Sequence, residues 1–149
     1  MTNKAKPTVP DPNPPALSDL GRGKTVLLVE DHKLMQAVTE RLLKRFGFHV
    51  LTASSVADGL ALWEAHADSV HLVLTDHNFS GRLTGMDLIH TLHTHRPTLP
   101  ALMISASWHP KEMGDDSLPP HVYFLGKPFR PPELAQALRL LLDGFTGKV

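Results

Sequence analysis

At 149 residues the chain fits one domain, and a domain of that size buries about two-thirds of its unfolded surface. Fifteen Lys and Arg balance fifteen Asp and Glu, so no global field selects nucleic acid or an anionic membrane, although ten His would add charge in mild acid. With no cysteine, no apolar run of signal-peptide length and no window of roughly 18 apolar residues, disulfides, thiolate chemistry and a membrane span are excluded, and a soluble cytoplasmic protein is expected.

Residues 1–24 hold five of the 13 prolines and no periodic pattern, and are read as a flexible tail. "GRGKT" at 21–25 superficially resembles a phosphate loop. Ser18 stands where its first glycine belongs, however, and the stretch precedes a strand where a phosphate loop follows one.

From Thr25 on, short apolar runs at 25–29, 48–52, 70–75, 100–105 and 121–125 alternate with segments of helical period. Met35, Val38, Leu42 and Phe46 form the first stripe, closed by Gly47 as a C-terminal glycine. Val56, Leu60, Trp63 and Ala67 form the second, capped by Ser54 or Ser55. Leu88, Ile89 and Leu92 make a shorter third. The fourth crossover, Ser107 to His121, carries Pro110, Gly114 and Pro119-Pro120, so a short or irregular helix is expected there. Pro131-Pro132 open a last helix with Leu134, Leu138, Leu141 and Leu142 inward. Five βα units with a parallel sheet follow, over residues 25–144, with 145–149 a C-terminal tail.

Ligands of an open parallel α/β sheet bind beyond the carboxyl ends of its strands. The first strand, "VLLVED", ends in Glu30 and Asp31, two adjacent carboxylates at the edge of a core, which call for a cation. The third ends in Asp76, the fourth in Ser105, and Lys127 follows the fifth. Each type has a task in phosphoryl transfer to a carboxylate. Acids hold Mg²⁺, one carboxylate attacks phosphorus, and the lysine and the hydroxyl stabilise phosphoryl oxygens.

In that order, "VLLVEDH", "LVLTDHNFSGRLTGMDLI", "ALMISAS" and "YFLGKPF", with intervals of 45, 29 and 22 residues from Asp31 through Asp76 and Ser105 to Lys127, resemble the receiver domain of bacterial two-component response regulators, here of the single-domain chemotaxis type. The resemblance implies a flavodoxin-like (βα)5 doubly wound sheet of strand order 2-1-3-4-5. It makes Asp76 the phosphoacceptor, and Glu30, Asp31, Asp76 and the backbone carbonyl of Asn78 the Mg²⁺ ligands. Ser105 takes the place of the switch hydroxyl, Phe124 that of the switch aromatic and Lys127 that of the conserved lysine, with a cis Lys127-Pro128 bond. The implied donor is a phosphohistidine on a sensor histidine kinase or a histidine phosphotransfer protein. Acetyl phosphate is a substitute. Output is by docking to a downstream protein, with a homodimer compatible, and the only catalysis is the domain's own phosphorylation and dephosphorylation.

Three features depart from the commonest pattern. The first acid is Glu. The loop "HNFSGRLTG" lacks the usual proline and is one residue longer before Gly85, as in some receivers of hybrid kinases. The fourth crossover is Pro-rich. Plainer readings also exist: Asp31 as a cap of the first helix, Ser105 as a satisfied hydroxyl, Lys127 as a solvated loop residue, Phe124 as core. His90, His93 and His95 read as an exposed polar face in preference to a metal site. His32 and His77 follow the site acids, and Trp108 lies three residues past Ser105. The alternatives to a phosphorylated regulator are a phosphorylation-independent interaction module and a receiver cut from a hybrid histidine kinase.

Overall fold

β1 (Thr25–Val29) is buried on both faces, Val26, Leu27, Leu28 and Val29 being at most 1% exposed, as expected of the central strand of a covered parallel sheet. The computed structural model describes residues 18–106 and 119–143. Along them follow α1 (Lys33–Arg45), β2 (His49–Ala53), α2 (Val56–His66), a 3₁₀ turn (Ala67–Ser69), β3 (Val70–Asp76), α3 (Gly85–His95), β4 (Ala101–Ser105), β5 (Val122–Gly126) and α4 (Pro131–Leu142). All pairings are parallel and the order is β2-β1-β3-β4-β5, the doubly wound flavodoxin-like arrangement.

Alternation along the strands divides the core in two. Val26, Leu28, Leu72, Leu74, Leu102 and Ile104 face α1 and α4, where Leu43, Leu134, Leu138 and Leu141 cover them. Leu27, Val29, Val73 and Met103 face α2 and α3, where Val56, Trp63, Leu88, Ile89 and Leu92 do so. The chain reverses its direction of winding at β1, so a crevice opens between the carboxyl ends of β1 and β3.

The strands begin and end within one residue of their expected positions. The helix signals act as read: Gly47 takes φ +94° just past α1, the Ser55 hydroxyl accepts from the Asp58 N–H at 3.0 Å, and Pro131-Pro132 open α4. The face of α1 holds in part. Phe46 is buried and Leu42 packs against the core as expected, but Val38 is 45% exposed and Thr39 and Leu43 point inward. Two stripes one residue apart both fit a helical period and share Phe46, and the helix adopts the one that takes Leu43 fully out of water.

Residues 21–24, expected as tail, fold over this helix end. The N–H groups of Gly21 and Gly23 donate to the carbonyls of Phe46 and Gly47 at 2.8 and 2.9 Å, so "GRGK" is a lid on the core. The crossover over 107–121, where a short or irregular helix is expected, lies with Trp108 mostly in 107–118, and the tails largely in 1–17 and 144–149, outside the described residues.

Candidate functional site

The parallel register brings the strand ends into one row: Val29 lies opposite Thr75, Asp76 opposite Ile104 and Ser105 opposite Gly126. Glu30, Asp31, Asp76, Ser105 and Lys127 therefore share one rim. Glu30 leaves β1 with its N–H on the Ala53 carbonyl at 3.0 Å, and its carboxylate turns back, Oε2 accepting from the His32 N–H at 3.0 Å. Asp76 Oδ1 accepts from the N–H of His77 at 2.7 Å and, more weakly, of Asn78 at 3.4 Å. These bonds fix the carboxylate at the mouth of the β3–α3 loop. Lys127 reaches in from the far strand, its Nζ 3.1 Å from Asp76 Oδ2 and 3.5 Å from Glu30 Oε1.

One oxygen from each of Glu30, Asp31 and Asp76 lies within 4.8 Å of the others, the one such acidic or histidine cluster among the described residues. Three carboxylates against one ammonium leave the rim with an excess of negative charge, and Glu30 and Asp76 are at most 9% exposed, with little water to screen it. The donor set fits Mg²⁺. It is all hard oxygen, and octahedral ligands at about 2.1 Å from the ion lie about 3 to 4 Å apart, so a small contraction of the cluster suffices.

Ser105 is 1% exposed, and its Oγ accepts from Asn78 Nδ2 at 3.3 Å, while its carbonyl accepts from the Lys127 N–H at 3.0 Å. The strand-end hydroxyl, the loop after Asp76 and the lysine are thus bonded to one another. The Lys127-Pro128 bond is cis. Phe124 is half-buried against the core on the α2/α3 side, opposite Met103, and Tyr123 packs on the other face.

Several local devices hold the rim in place. Gly85 opens α3 where a Cβ would stand 2.1 Å from the Asp76 carbonyl oxygen, and its N–H donates to the His77 carbonyl at 2.9 Å, so only glycine lets the helix start this close to β3. Thr84 and Asp87 form a reciprocal capping box. His32 caps α1, its Nδ1 accepting from the Met35 N–H at 3.3 Å, which leaves Asp31 outside the cap and in the acidic cluster. Gln36 was not legible in the sequence. Its Nε2 reaches the carbonyls of Glu30 and Ala53, both at 3.0 Å, and the Ser54 hydroxyl at 3.3 Å, tying the ends of β1 and β2 together. The signal was a glutamine one turn beyond His32, a position that reads as solvent-facing until the strand order is known.

Two of the three histidines on α3 have backbone partners. His93 is half-buried on the Leu99 carbonyl at 2.9 Å, a departure from the exposed face expected, and His95 Nδ1 lies 3.2 Å from the Thr91 carbonyl. His77 Nδ1 lies 3.2 Å from Asn78 Oδ1.

The model of the family described as "Response regulator receiver domain" matches residues 26–139. The transcriptional regulatory protein GltR of Pseudomonas aeruginosa is 30% identical over 131 residues; the match covers 80% of this chain and 49% of GltR, so the chain spans about half of that relative's length. A response regulator receiver protein from Sinorhizobium medicae superposes with a TM-score of 0.73 at 26% identity, over 83% of this chain and 97% of the other. The receiver domain of the hybrid histidine kinase CckA does so with a TM-score of 0.65 at 28% identity, over 79% and 98%.

Proposed function

The chain belongs to the response regulator receiver domain family, a module of two-component signalling, and on that premise we propose that it accepts a phosphoryl group on Asp76 from a phosphohistidine and signals by docking in the phosphorylated form. The observation that carries this reading is the bridge of Lys127 Nζ between Asp76 and Glu30 inside the acidic cluster. An ammonium in that position offsets charge on an oxygen of a phosphoryl group bonded to Asp76.

Asp76 supplies the nucleophile, one carboxylate oxygen, while the His77 N–H holds the other in place. The oxygen bonds to phosphorus as the P–N bond of the phosphohistidine breaks, with its electron pair left on the imidazole nitrogen. Mg²⁺, held by Glu30, Asp31 and Asp76 with the Asn78 carbonyl, would screen the repulsion between these carboxylates and the incoming dianion. Ser105 donates its hydroxyl hydrogen to a second phosphoryl oxygen, an interaction that the hydrogen bond it accepts from Asn78 strengthens by polarisation.

The phosphoryl group adds about two negative charges to the rim. By engaging Ser105 and Lys127 it selects one arrangement of the β4 end and of β5, which carries Phe124. That population shift is the signal offered to a downstream protein. Asp76→Asn removes the nucleophile and abolishes incorporation of label from acetyl phosphate and Mg²⁺; undiminished labelling of the variant refutes the assignment.

A further inference from the structure

A cleft of about 320 Å³ adjoins the acidic cluster and has Asp31 in its wall. The first turn of α2, with Val56 and Ala57, forms one side. Phe79, Arg82 and Leu83 of the loop after Asp76 form the other. Asp31 belongs both to this cleft and to the three carboxylates whose oxygens lie within 4.8 Å of one another. A molecule whose phosphoryl end lies at the cluster therefore has the cleft beside it for its remaining atoms. The walls are largely apolar: Phe79 packs against the α2/α3 side of the core, and Leu83 is 46% exposed, one of three exposed large apolar side chains among the described residues. Apolar surface open to water next to a charged centre is a mark of a ligand site. Arg82 is the cation in the cleft's lining, a positive charge for an anionic ligand to meet.

We propose that this cleft is the leaving-group subsite for small phosphoryl donors, and that it favours acyl phosphates with a bulky apolar or aromatic acyl group. The inference rests on the phosphoacceptor reading of Asp76. In the step it describes, an Asp76 carboxylate oxygen bonds to phosphorus, and the P–O bond to the acyl group breaks. The acyl carboxylate departs with the electron pair, and no proton or redox partner is needed. The volume lies at the lower end of small-molecule sites, about 300 to 1,000 Å³, so the cleft admits a ring of phenyl size. Val56, Phe79 and Leu83 take that ring out of water, and Arg82 faces the carboxylate as it leaves.

The test compares acetyl phosphate with benzoyl phosphate as donors to the full chain in Mg²⁺, with the phosphoryl adduct followed by intact mass and kcat/KM determined for each. The ratio of the two constants, read against the wild type, removes the donors' intrinsic difference in reactivity. Ala57→Trp, at an exposed position, fills the cleft, and the benzoyl-to-acetyl ratio is expected to fall about tenfold, as for a ring side chain's partial burial. Leu83→Ala removes one wall and lowers the ratio by less. Acetyl phosphate, whose methyl group makes far less contact with the walls, loses less than benzoyl phosphate in both variants, and circular dichroism reports the fold; should Ala57→Trp be unfolded, Leu83→Ala decides by the same ratio. A ratio that neither variant lowers overturns the subsite and leaves Asp76 as the phosphoacceptor. Failure of both donors to label the wild-type chain overturns the phosphoacceptor reading, and the subsite with it.

Discussion

Lys127 and Asp76 are joined by a 3.1 Å ion pair across 51 positions of sequence, and the same ammonium lies 3.5 Å from Glu30. The lysine is both the cation that makes two nearly buried carboxylates tolerable and a group proposed to meet the phosphoryl oxygen. Lys127→Met should slow labelling of Asp76 by acetyl phosphate at least about a hundredfold, the scale on which loss of one charge-stabilising donor acts. The lysine side chain is 21% exposed, so the accompanying stability loss is reduced by solvent to about 1–2 kcal/mol. Urea denaturation at neutral pH measures it, and added Mg²⁺ should restore part of it.

Asp31 contributes repulsion without the lysine's compensation. Its oxygen lies within 4.8 Å of both other carboxylates, while the ion pairs of Lys127 go to Glu30 and Asp76. Asp31→Asn is expected to stabilise the fold in EDTA by about 1 kcal/mol, a gain typical of relieving strain at a functional site. In the same variant the rise in Tm on adding Mg²⁺ should vanish. An unchanged Mg²⁺ response would remove Asp31 from the ligand set.

Gly85 places α3 against β3. A methyl group there meets the Asp76 carbonyl oxygen at 2.1 Å, which is backbone and has no flexible end to swing aside. Gly85→Ala should cost about 2–3 kcal/mol through the overpacking it forces. Because the displaced atom belongs to Asp76 itself, labelling by acetyl phosphate should fall even at temperatures where circular dichroism reports a folded variant.

The sequence made some of this legible and left the rest hidden for a physical reason. Strand runs, the Gly47 and Ser55 helix ends and the inward leucines of α4 follow from local periodicity and capping, which need no knowledge of neighbours. The rim residues are legible because the strand ends of a parallel sheet gather. What escaped depends on who stands next to whom. The rotation of α1 turns on whether Val38 or its neighbours Thr39 and Leu43 meet the sheet, and Gln36 clamps Glu30 to Ala53 and Ser54 once β1 and β2 are paired. The Asn78 amide has no local signal, since its bond to Ser105 spans 27 residues and joins the ends of two strands.

Leu34 and Val38 stand one turn apart on α1, 67% and 45% exposed, close in sequence to the rim acids. On the proposed reading of Asp76 as phosphoacceptor, an apolar strip beside the site suits the helix of a partner that presents a phosphohistidine there. Leu34→Glu should slow phosphotransfer from a phosphohistidine protein about tenfold, as for loss of one well-packed interface anchor, while labelling by acetyl phosphate stays at the wild-type rate. Equal slowing with both donors would place the effect in the site and not at the interface.

His71 is the group whose titration bears on the sheet itself. Its Nδ1 accepts from the Thr25 N–H at 3.0 Å, where the β1–β3 register shifts between Thr25 and Val26, so an imidazole nitrogen takes the place of a ladder carbonyl. Desolvation first, then the charges of Lys24 and Arg96, hold its pKa below the ordinary imidazole value. Protonating Nδ1 breaks the bond and adds a third cation to that corner. A depressed histidine pKa means that the unfolded chain binds the proton more readily, so stability is present above the unfolded pKa and is lost as pH falls through about 6.5 toward the folded value. The residue is largely exposed, so the loss is small. His71→Gln, which cannot titrate, should flatten urea-denaturation stability between about pH 7 and pH 5 relative to wild type. An unchanged slope would assign the acid sensitivity to other groups.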